Sequence, residues 1–339
     1  MTPPSFWTTF LSPRFAWLQI EVTSHCNAAC RYCPHTLYGS HWQNRHLPLE
    51  VFRLLLPTFK KVNLVYLQGW GEPFLHPDFF TLVALARQAG CQVGATTNAT
   101  LLTAEVINRL VSSGLDILAF SLTGLGARHD VWRPGTSYDQ VLGAIRRLTD
   151  EKRRQGRETP QVHIAYLLLR SGLPDLAKLP AALAGLGIDQ VVISTLDLVA
   201  APELRQEALK LASPGEWQEL QRQLTAVTLD AARQGLTIHP PSLPAPGRPL
   251  VCPENILRAA VISAAGDVAP CVYRNVPTAG DQVYGNGAVQ PLQTCHFGNL
   301  RDRPFLEIWQ SDPYRTFRRA WQIGQPPPCC RDCLRIKEV

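Results

Sequence analysis

Three cysteines near the amino end of the 339-residue chain have the spacing for metal chemistry. Cys26, Cys30 and Cys33 form a Cys-x3-Cys-x2-Cys run, and three such close thiolates can hold three corners of a cubane iron–sulfur cluster. The fourth iron is then open, as a catalytic metal requires. The alternative is a zinc ion on the three cysteines plus His25 or His35. Structural zinc usually joins two Cys-x-x-Cys pairs, so the spacing favours the iron–sulfur cluster.

A second group of cysteines lies toward the carboxyl end. Its members are Cys252, Cys271, Cys295, Cys329, Cys330 and Cys333. Gly266-Asp267 is a hairpin-turn signal between apolar runs, and such a hairpin brings the segment near Cys252 close to Cys271. Four thiolates here can bind a second cubane iron–sulfur cluster or a structural zinc ion, and either one would stabilise a small domain. Cys91, alone inside an apolar run, is predicted to be a core residue.

The segments between the cysteine groups must position these ligands. Apolar runs predict strands at 15–22, 62–68, 91–97, 116–122, 162–169 and 190–196. Amphipathic patterns predict helices at 49–59, 78–88, 104–112, 138–152, 173–186 and 214–233. Six βα units predict an α/β fold, a partial (β/α)6 TIM-like barrel with a small cysteine-rich carboxyl-terminal domain. A Pro-rich run at 240–247 indicates a linker. We therefore expect an extension at 1–14, the barrel at 15–240 and the cysteine-rich domain at 241–339.

Polar residues and glycines follow several predicted strands, where a parallel barrel carries its chemistry. Gly69, Gly71 and Glu72 come after the second strand; the glycines let the backbone approach a ligand, and Glu72 can accept hydrogen bonds from an ammonium group. The alternative is a glycine-rich turn with a surface acid.

The ends of the third and sixth strands carry further candidates. After the third strand, Thr96 is expected to cap a turn, whereas Asn98 can cap or bind a ligand. After the sixth strand, Asp197 is a candidate general base, with a turn-capping role as the favoured alternative.

Charge and hydropathy exclude several classes of protein. The net charge is +6, but the Lys and Arg residues are mostly scattered, which favours a solvated surface over a nucleic-acid patch. No apolar stretch approaches the length needed to span a bilayer, and no targeting segment is evident. We expect a cytoplasmic protein without nucleic-acid or membrane partners.

The Cys-x3-Cys-x2-Cys run after a first strand, with Tyr32 before its last cysteine, resembles the radical S-adenosylmethionine (SAM) superfamily. The resemblance implies a [4Fe–4S] cluster on Cys26, Cys30 and Cys33, with its open iron chelated by the methionine part of SAM. One electron then cleaves SAM to methionine and a 5′-deoxyadenosyl radical, which abstracts hydrogen from a substrate. A reduced flavodoxin or ferredoxin is the donor that this chemistry implies.

The same resemblance assigns a set of residues to the cofactor. They are Tyr32, Gly69, Gly71, Glu72, Asn98, Ser121, Arg133 and Leu196. Ser121 is expected at the ribose and Leu196 on the adenine, while the guanidinium of Arg133 suits the methionine carboxylate. The alternative for Arg133 is a surface salt bridge. The sequence departs from the family pattern where Trp70 is inserted before the second glycine of a Gly-Gly-Glu-Pro element.

The carboxyl-terminal cysteines resemble the SPASM/twitch extension of this superfamily, which implies an auxiliary [4Fe–4S] cluster. Its expected ligands are Cys252, Cys271, Cys330 and Cys333. No room remains after Cys333 for the further Cys-x5-Cys run of the full SPASM form, so we expect the shorter twitch form. Cys329 is an alternative to Cys330, and Cys295 a candidate ligand of a second, incomplete cluster.

These expectations favour a radical SAM oxidoreductase or maturase. Such an enzyme would oxidise, cross-link or mature a peptide, a protein or a small metabolite. The alternative is a metal-stapled binding or regulatory protein that has the barrel fold without turnover.

Overall fold

The computed structural model describes residues 15–209, 213–241, 252–285, 288–331 and 333. The strands are β1 (Phe15–Ile20), β2 (Val62–Leu67), β3 (Gln92–Thr97), β4 (Ile117–Leu122), β5 (Gln161–Leu168), β6 (Gln190–Thr195), β7 (Thr237–His239), β8 (Ala259–Ile262), β9 (Val268–Ala269), β10 (Gln282–Gly285) and β11 (Ala288–Pro291). The first nine form one sheet in the order β7-β6-β5-β4-β3-β2-β1-β8-β9, and β10 pairs with β11. Strands β1 to β8 pair in parallel, so their carboxyl ends share one edge.

Helices follow the strands, and most of them contribute buried side chains to the core that packs against the sheet. They are α1 (Pro34–Leu37), α2 (Leu49–Arg53), α3 (Leu56–Phe59), α4 (Phe79–Gln88), α5 (Ala104–Ser112), α6 (Ala127–Trp132), α7 (Tyr138–Gln155), α8 (Leu179–Leu183), α9 (Pro214–Arg233), α10 (Phe305–Gln310) and α11 (Asp312–Gln322). Short 3-10 helices cover Gly39–His41, Pro73–Leu75, Arg170–Lys178, Pro202–Gln206, Val272–Arg274 and Pro328–Cys330.

The helices begin and end where short polar side chains and glycine allow. Thr103 caps α5 by accepting the N–H of Val106, and Ser213 caps α9 by accepting the N–H of Glu216. Helix α7 ends at Gly156, whose φ of 62° is the left-handed conformation that favours glycine.

The core lies between the sheet and these helices. In β5, Val162, Ile164 and Tyr166 are fully buried, whereas His163 on the opposite face is half-buried. This two-residue alternation leaves the opposite face of β5 partly exposed. Burying each large apolar side chain contributes roughly 1.5–3 kcal/mol, and truncating Ile164 to alanine would cost about 2–5 kcal/mol.

The predicted partial barrel and its six strands are confirmed, but two predicted helices differ. The helix expected at 49–59 is divided into α2 and α3, because Pro57 has no N–H to continue the hydrogen-bond ladder. The helix expected at 173–186 is a 3-10 helix over Arg170–Lys178 followed by the short α8, and Pro174 lies inside the 3-10 part.

The cysteine-rich region is joined to the barrel through the sheet. The predicted hairpin at Gly266 is present as β8 and β9, and β8 pairs in parallel with β1, Leu18 opposite Ala260. The 1–14 extension and most of the Pro-rich linker fall outside the described residues. The boundary at 240–241 stays a prediction.

Aromatic packing supports the carboxyl-terminal cysteines. Phe297, two residues after Cys295, stacks on Tyr314 with ring centroids 3.9 Å apart. The rings of Phe305 and Trp309 pack edge-on against Phe15 at the start of β1. Helices α10 and α11 are therefore anchored to the first barrel strand.

Candidate functional site

The first cysteine group forms a loop beyond the carboxyl end of β1. The loop is held by backbone hydrogen bonds from Ala29 N to Pro134 O (2.8 Å) and from Arg31 N to Trp132 O (3.0 Å). Cys33 precedes α1, and its carbonyl accepts the N–H of Leu37 at 3.1 Å. The loop thus rests against the segment that follows α6.

The thiols of this loop lie in a setting that disfavours uncompensated thiolates. Burial raises the pKa of Cys26 to about 11 and that of Cys33 to about 12, while the nearby charge of Arg133 lowers both. Iron supplies the positive charge that such thiolates need, so the donor set suits a cluster. In the part of the chain that the structure describes, no three His, Cys, Asp or Glu side chains are grouped to hold a single metal ion. A cubane needs a wider arrangement, because each thiolate binds a different iron.

A cavity of about 360 Å³ opens beside the loop. Its walls include Cys26, Ala29, His35, Trp42 and Asn44. The cysteine loop therefore borders free space rather than packed core.

Arg133 is buried beside this loop. Its side chain is 8% exposed, and Nη1 donates a hydrogen bond to the phenol oxygen of Tyr32. That oxygen also meets Thr123 Oγ1 at 3.0 Å. Arg133 Nε is buried with no hydrogen-bond partner among the described residues, so one donor remains for an anionic ligand. The alternative of a surface salt bridge is wrong, because the guanidinium is buried against a phenol.

Glu72 connects the loop after β2 to the end of β3. Its carboxylate accepts hydrogen bonds from Asn98 N (2.7 Å) and Thr97 Oγ1 (2.9 Å), and it is 2% exposed. Burial raises the pKa of Glu72 to about 7, although these hydrogen bonds oppose the shift. The alternative of a surface acid is wrong.

Asn98 performs a turn role and also contacts the cysteine loop. Its Oδ1 accepts the N–H of Thr100 at 3.0 Å, while Nδ2 donates to Asn27 Oδ1 at 2.9 Å. Thr96 does not cap this turn, since its hydroxyl donates to Gln68 Oε1 at 2.6 Å. Thr97 takes that role instead by accepting the N–H of Ala99 at 3.0 Å.

Gly69 and Gly71 are required by close packing against the chain itself. A Cβ on Gly69 would lie 2.3 Å from Glu21 Cγ, and one on Gly71 would lie 2.3 Å from Thr23 O. The two glycines therefore let this loop pack closely against the segment that leads to Cys26. Their predicted contact with the cofactor stays a prediction.

The remaining predicted residues lie at the same edge of the sheet. Leu196 is buried in a small apolar cluster against which Tyr32 and Trp132 pack. Ser121 is half-buried in β4. Asp197 accepts a hydrogen bond from Thr195 Oγ1 at 2.8 Å, which fits its turn-capping role.

The carboxyl-terminal cysteines converge, including the two that the expected ligand set left out. Burial and the charges of Cys252 and Cys333 raise the pKa of Cys271 well above its usual range. Cys329 Sγ lies 3.9 Å from Cys330 Sγ, and hydrogen bonds from Cys295 and Cys330 lower the pKa of Cys329. All six therefore belong to one group, which is rich enough in thiols for an iron–sulfur cluster.

Sequence reasoning missed several residues that organise the first site. Thr97 donates a hydrogen bond to Glu72, and Asn27 accepts one from Asn98. Glu21 accepts hydrogen bonds from the backbone N–H groups of Trp70 and Ala264. For Glu21 the sequence does carry a signal, because it is an acid at the end of an apolar strand. A buried carboxylate there needs hydrogen-bond partners.

Comparison with protein families decides the nature of this site. Residues 20–170 match the model of the radical SAM superfamily, and residues 252–334 match that of the SPASM iron–sulfur cluster-binding domain. The chain belongs to the radical SAM superfamily and carries a carboxyl-terminal SPASM domain. Its cofactors are [4Fe–4S] clusters and SAM, which decides against zinc at both cysteine groups.

Two curated relatives of this radical SAM protein align over 94% of its length. The tungsten-containing aldehyde ferredoxin oxidoreductase cofactor-modifying protein of Pyrococcus furiosus is 28% identical, with 86% of its own length covered. An AdoMet-dependent heme synthase of Nitratidesulfovibrio vulgaris is 25% identical, with 85% covered. These relatives support the prediction of an enzyme over that of a binding protein without turnover.

Solved structures share the fold at low sequence identity. Streptococcus suis SuiB bound to S-adenosylmethionine superposes with a TM-score of 0.64 at 15% identity, over 91% of this chain and 68% of that one. Native anSMEcpe with bound AdoMet gives a TM-score of 0.63 at 18% identity, over 89% and 82%. Within the described part of the chain, every helix is too short or too polar to cross a membrane.

Proposed function

We propose that this radical SAM enzyme is a maturase that cleaves SAM reductively beside Cys26, Cys30 and Cys33 and modifies a cofactor or cofactor precursor. The observation that carries the proposal is the buried guanidinium of Arg133 next to the three thiols, with Nε left without a partner. A buried cation with a spare donor suits a carboxylate such as that of the SAM methionine.

Each side chain at the edge of the sheet has a place in this proposal. Cys26, Cys30 and Cys33 would hold the [4Fe–4S] cluster, which would supply the electron for reductive cleavage of SAM to methionine and a 5′-deoxyadenosyl radical. Arg133 binds the carboxylate, and Tyr32 orients the guanidinium.

The other named residues complete the binding surface. Glu72 accepts a hydrogen bond from the ammonium group, Asn98 lies beside it, and Gly69 and Gly71 shape the loop that carries Glu72. Ser121 faces the ribose, and Leu196 forms the apolar wall at the adenine. Asp197 is proposed as a general base for the substrate.

An auxiliary [4Fe–4S] cluster held by the carboxyl-terminal cysteines would supply an acceptor for the electron that remains after hydrogen abstraction. Its proposed ligands are Cys252, Cys271, Cys330 and Cys333. Cys271 is buried beside neighbouring thiols, where a cluster would be shielded from water. A reduced flavodoxin or ferredoxin is the proposed donor to the first cluster.

Two relatives that align over 94% of the chain support a substrate class. Their names refer to the cofactor of a tungsten enzyme and to heme, and neither of these is a peptide. A second candidate is a peptide, because the mycofactocin maturase MftC of Mycolicibacterium smegmatis is 28% identical over 38% of this chain. The longer matches favour the cofactor.

The test compares substrates by their effect on SAM cleavage. Reconstituted protein is incubated anaerobically with dithionite and SAM, alone or with iron coproporphyrin, a reduced pterin or an unstructured peptide. We expect the iron porphyrin or the pterin to stimulate 5′-deoxyadenosine formation and to become modified, with neither effect in the Cys30→Ala variant. Stimulation and modification by the peptide alone would contradict the cofactor assignment.

A further inference from the structure

Trp70 bonds to elements on both sides of the boundary between the two cysteine groups. Its indole Nε1 donates to the backbone carbonyl of Asn275 at 2.9 Å, four residues after Cys271. Its backbone N–H donates to Glu21 Oε1 at 3.0 Å, at the end of the strand that leads to Cys26. This inserted residue therefore joins the segment that leads to Cys26 to the segment that follows Cys271.

Glu21 makes a second connection on the other side of Cys271. Its Oε2 accepts the N–H of Ala264 at 3.1 Å, and the side chain is 1% exposed. Ala264 precedes the turn at Gly266, from which β9 runs to Cys271. The bonds to Ala264 and Asn275 thus bracket Cys271, one before it and one after it.

Aromatic packing stiffens the connection. The indole of Trp70 lies edge-to-face with Trp42 (centroids 6.4 Å apart) and with Tyr273 (6.1 Å). Trp42 is buried, and its Nε1 donates to Ser24 O at 3.0 Å, two residues before Cys26. Rings at these separations attract one another beyond their burial. A continuous aromatic wall therefore runs from the first cysteine loop to the residue two after Cys271.

The loop that carries Trp70 has little freedom to move. The packing of Gly69 on Glu21 and of Gly71 on the carbonyl of Thr23 leaves no space for a Cβ. The Glu72 N–H donates to His25 O at 2.8 Å. The segment after Cys271 also holds Cys295, because the Cys295 N–H donates to Arg274 O at 3.0 Å. Arg274 is the residue before Asn275, to which Trp70 is bonded.

We propose that Trp70 is a positioning residue that holds the segment carrying Cys271 at a set distance and orientation from the SAM site. The ring packs across the boundary, the Nε1–H holds the segment after Cys271, and Glu21 holds the segment before it. This role concerns the placement of the auxiliary site and holds for any substrate.

The first test is hydrogen–deuterium exchange of the reconstituted protein under anaerobic conditions. Trp70→Phe keeps a ring but loses the Nε1–H, so we expect exchange in peptides spanning 271–278 and 295–297 to be roughly two- to tenfold faster, the range for one lost hydrogen bond. Glu21→Gln, which can no longer accept the Ala264 N–H and the Trp70 N–H together, should speed exchange in 262–268. Trp217→Phe on α9 is the matched control and should change neither region.

The second test uses the reconstituted protein and electron paramagnetic resonance. We expect Trp70→Phe to change the spectrum of the reduced auxiliary cluster, while the signal that shifts on addition of SAM keeps its position. Unchanged exchange in 271–278 together with an unchanged auxiliary spectrum would overturn the proposal. A uniform rise in exchange across the whole chain would also overturn it, since that outcome assigns Trp70 to general stability.

Discussion

Arg133 Nη1 donates a hydrogen bond to the phenol oxygen of Tyr32 at 2.5 Å, which joins the segment after α6 to the middle of the first cysteine loop. Burial raises the pKa of Tyr32 above its usual range, so the phenol stays neutral and can donate to Thr123. Because one side of the guanidinium is held in this way, its orientation is set before any ligand arrives. Nε is left for an anion.

Replacing Arg133 by lysine should weaken SAM binding. Lysine keeps the charge but lacks the planar guanidinium that can hydrogen-bond Tyr32 and a carboxylate at the same time. We therefore expect the affinity for SAM to fall roughly 10- to 100-fold. Isothermal titration of the reconstituted protein with SAM measures it. Arg153→Lys, at an exposed pair on α7, is the control and should bind as the wild type does. Equal affinity in the two variants would contradict the role of Arg133.

Gly71→Ala should impair assembly of the first cluster. The added Cβ would lie 2.3 Å from Thr23 O and 2.5 Å from His25 O, so the backbone next to Cys26 must shift. We expect a clear loss of iron and sulfide bound after reconstitution. Gly143→Ala in α7 is the matched control, because its Cβ would meet only the flexible end of Arg147. Wild-type iron content in Gly71→Ala would show that the loop tolerates the shift.

Glu21 should make stability depend on pH. Its pKa is raised from 4.5 to about 7 by burial, so its stabilising contribution is complete below pH 4.5 and is lost as the pH rises through 7. The loss amounts to roughly 3 kcal/mol. Urea unfolding of the cluster-free protein at pH 5 and pH 8 should show that Glu21→Gln loses less stability over this interval than the wild type. An identical loss in both proteins would show that Glu21 does not titrate there.

The carboxyl-terminal cysteines should divide into ligands and neighbours. We expect Cys271→Ser to abolish the auxiliary cluster signal and product formation, while SAM cleavage continues at the first site. Cys295→Ser should retain a four-iron auxiliary cluster, because four other thiolates suffice. Iron content and Mössbauer spectra of the two variants measure this. Loss of four irons in Cys295→Ser would place that residue among the ligands.

Patterns local in sequence predicted much of this molecule. The six barrel strands follow from apolar runs, and Cys26, Cys30 and Cys33 follow from spacing alone, since neighbours in one loop must be neighbours in space. The hairpin at Gly266 was likewise visible as a turn signal. Cys91 is confirmed as a core residue, and its thiol donates a hydrogen bond to Phe59 O at 3.3 Å.

Contacts between distant segments could not be predicted in this way. The parallel pairing of β8 with β1 joins residues about 240 positions apart, and no local pattern records it. Nor does any local pattern place the indole of Trp70 on Asn275 or draw Cys295 and Cys329 into the auxiliary group. Such contacts depend on how the sheet brings loops together, so only the fold reveals them.

The most direct test of the account is an anaerobic assay for 5′-deoxyadenosine. Protein reconstituted with iron and sulfide is given dithionite and SAM, and the wild type is compared with Cys30→Ala and Cys91→Ala. We expect 5′-deoxyadenosine from the wild type and from Cys91→Ala, whose thiol lies in the core, and none from Cys30→Ala. Formation by Cys30→Ala at the wild-type rate would contradict the central claim that the three-cysteine loop is where SAM is cleaved.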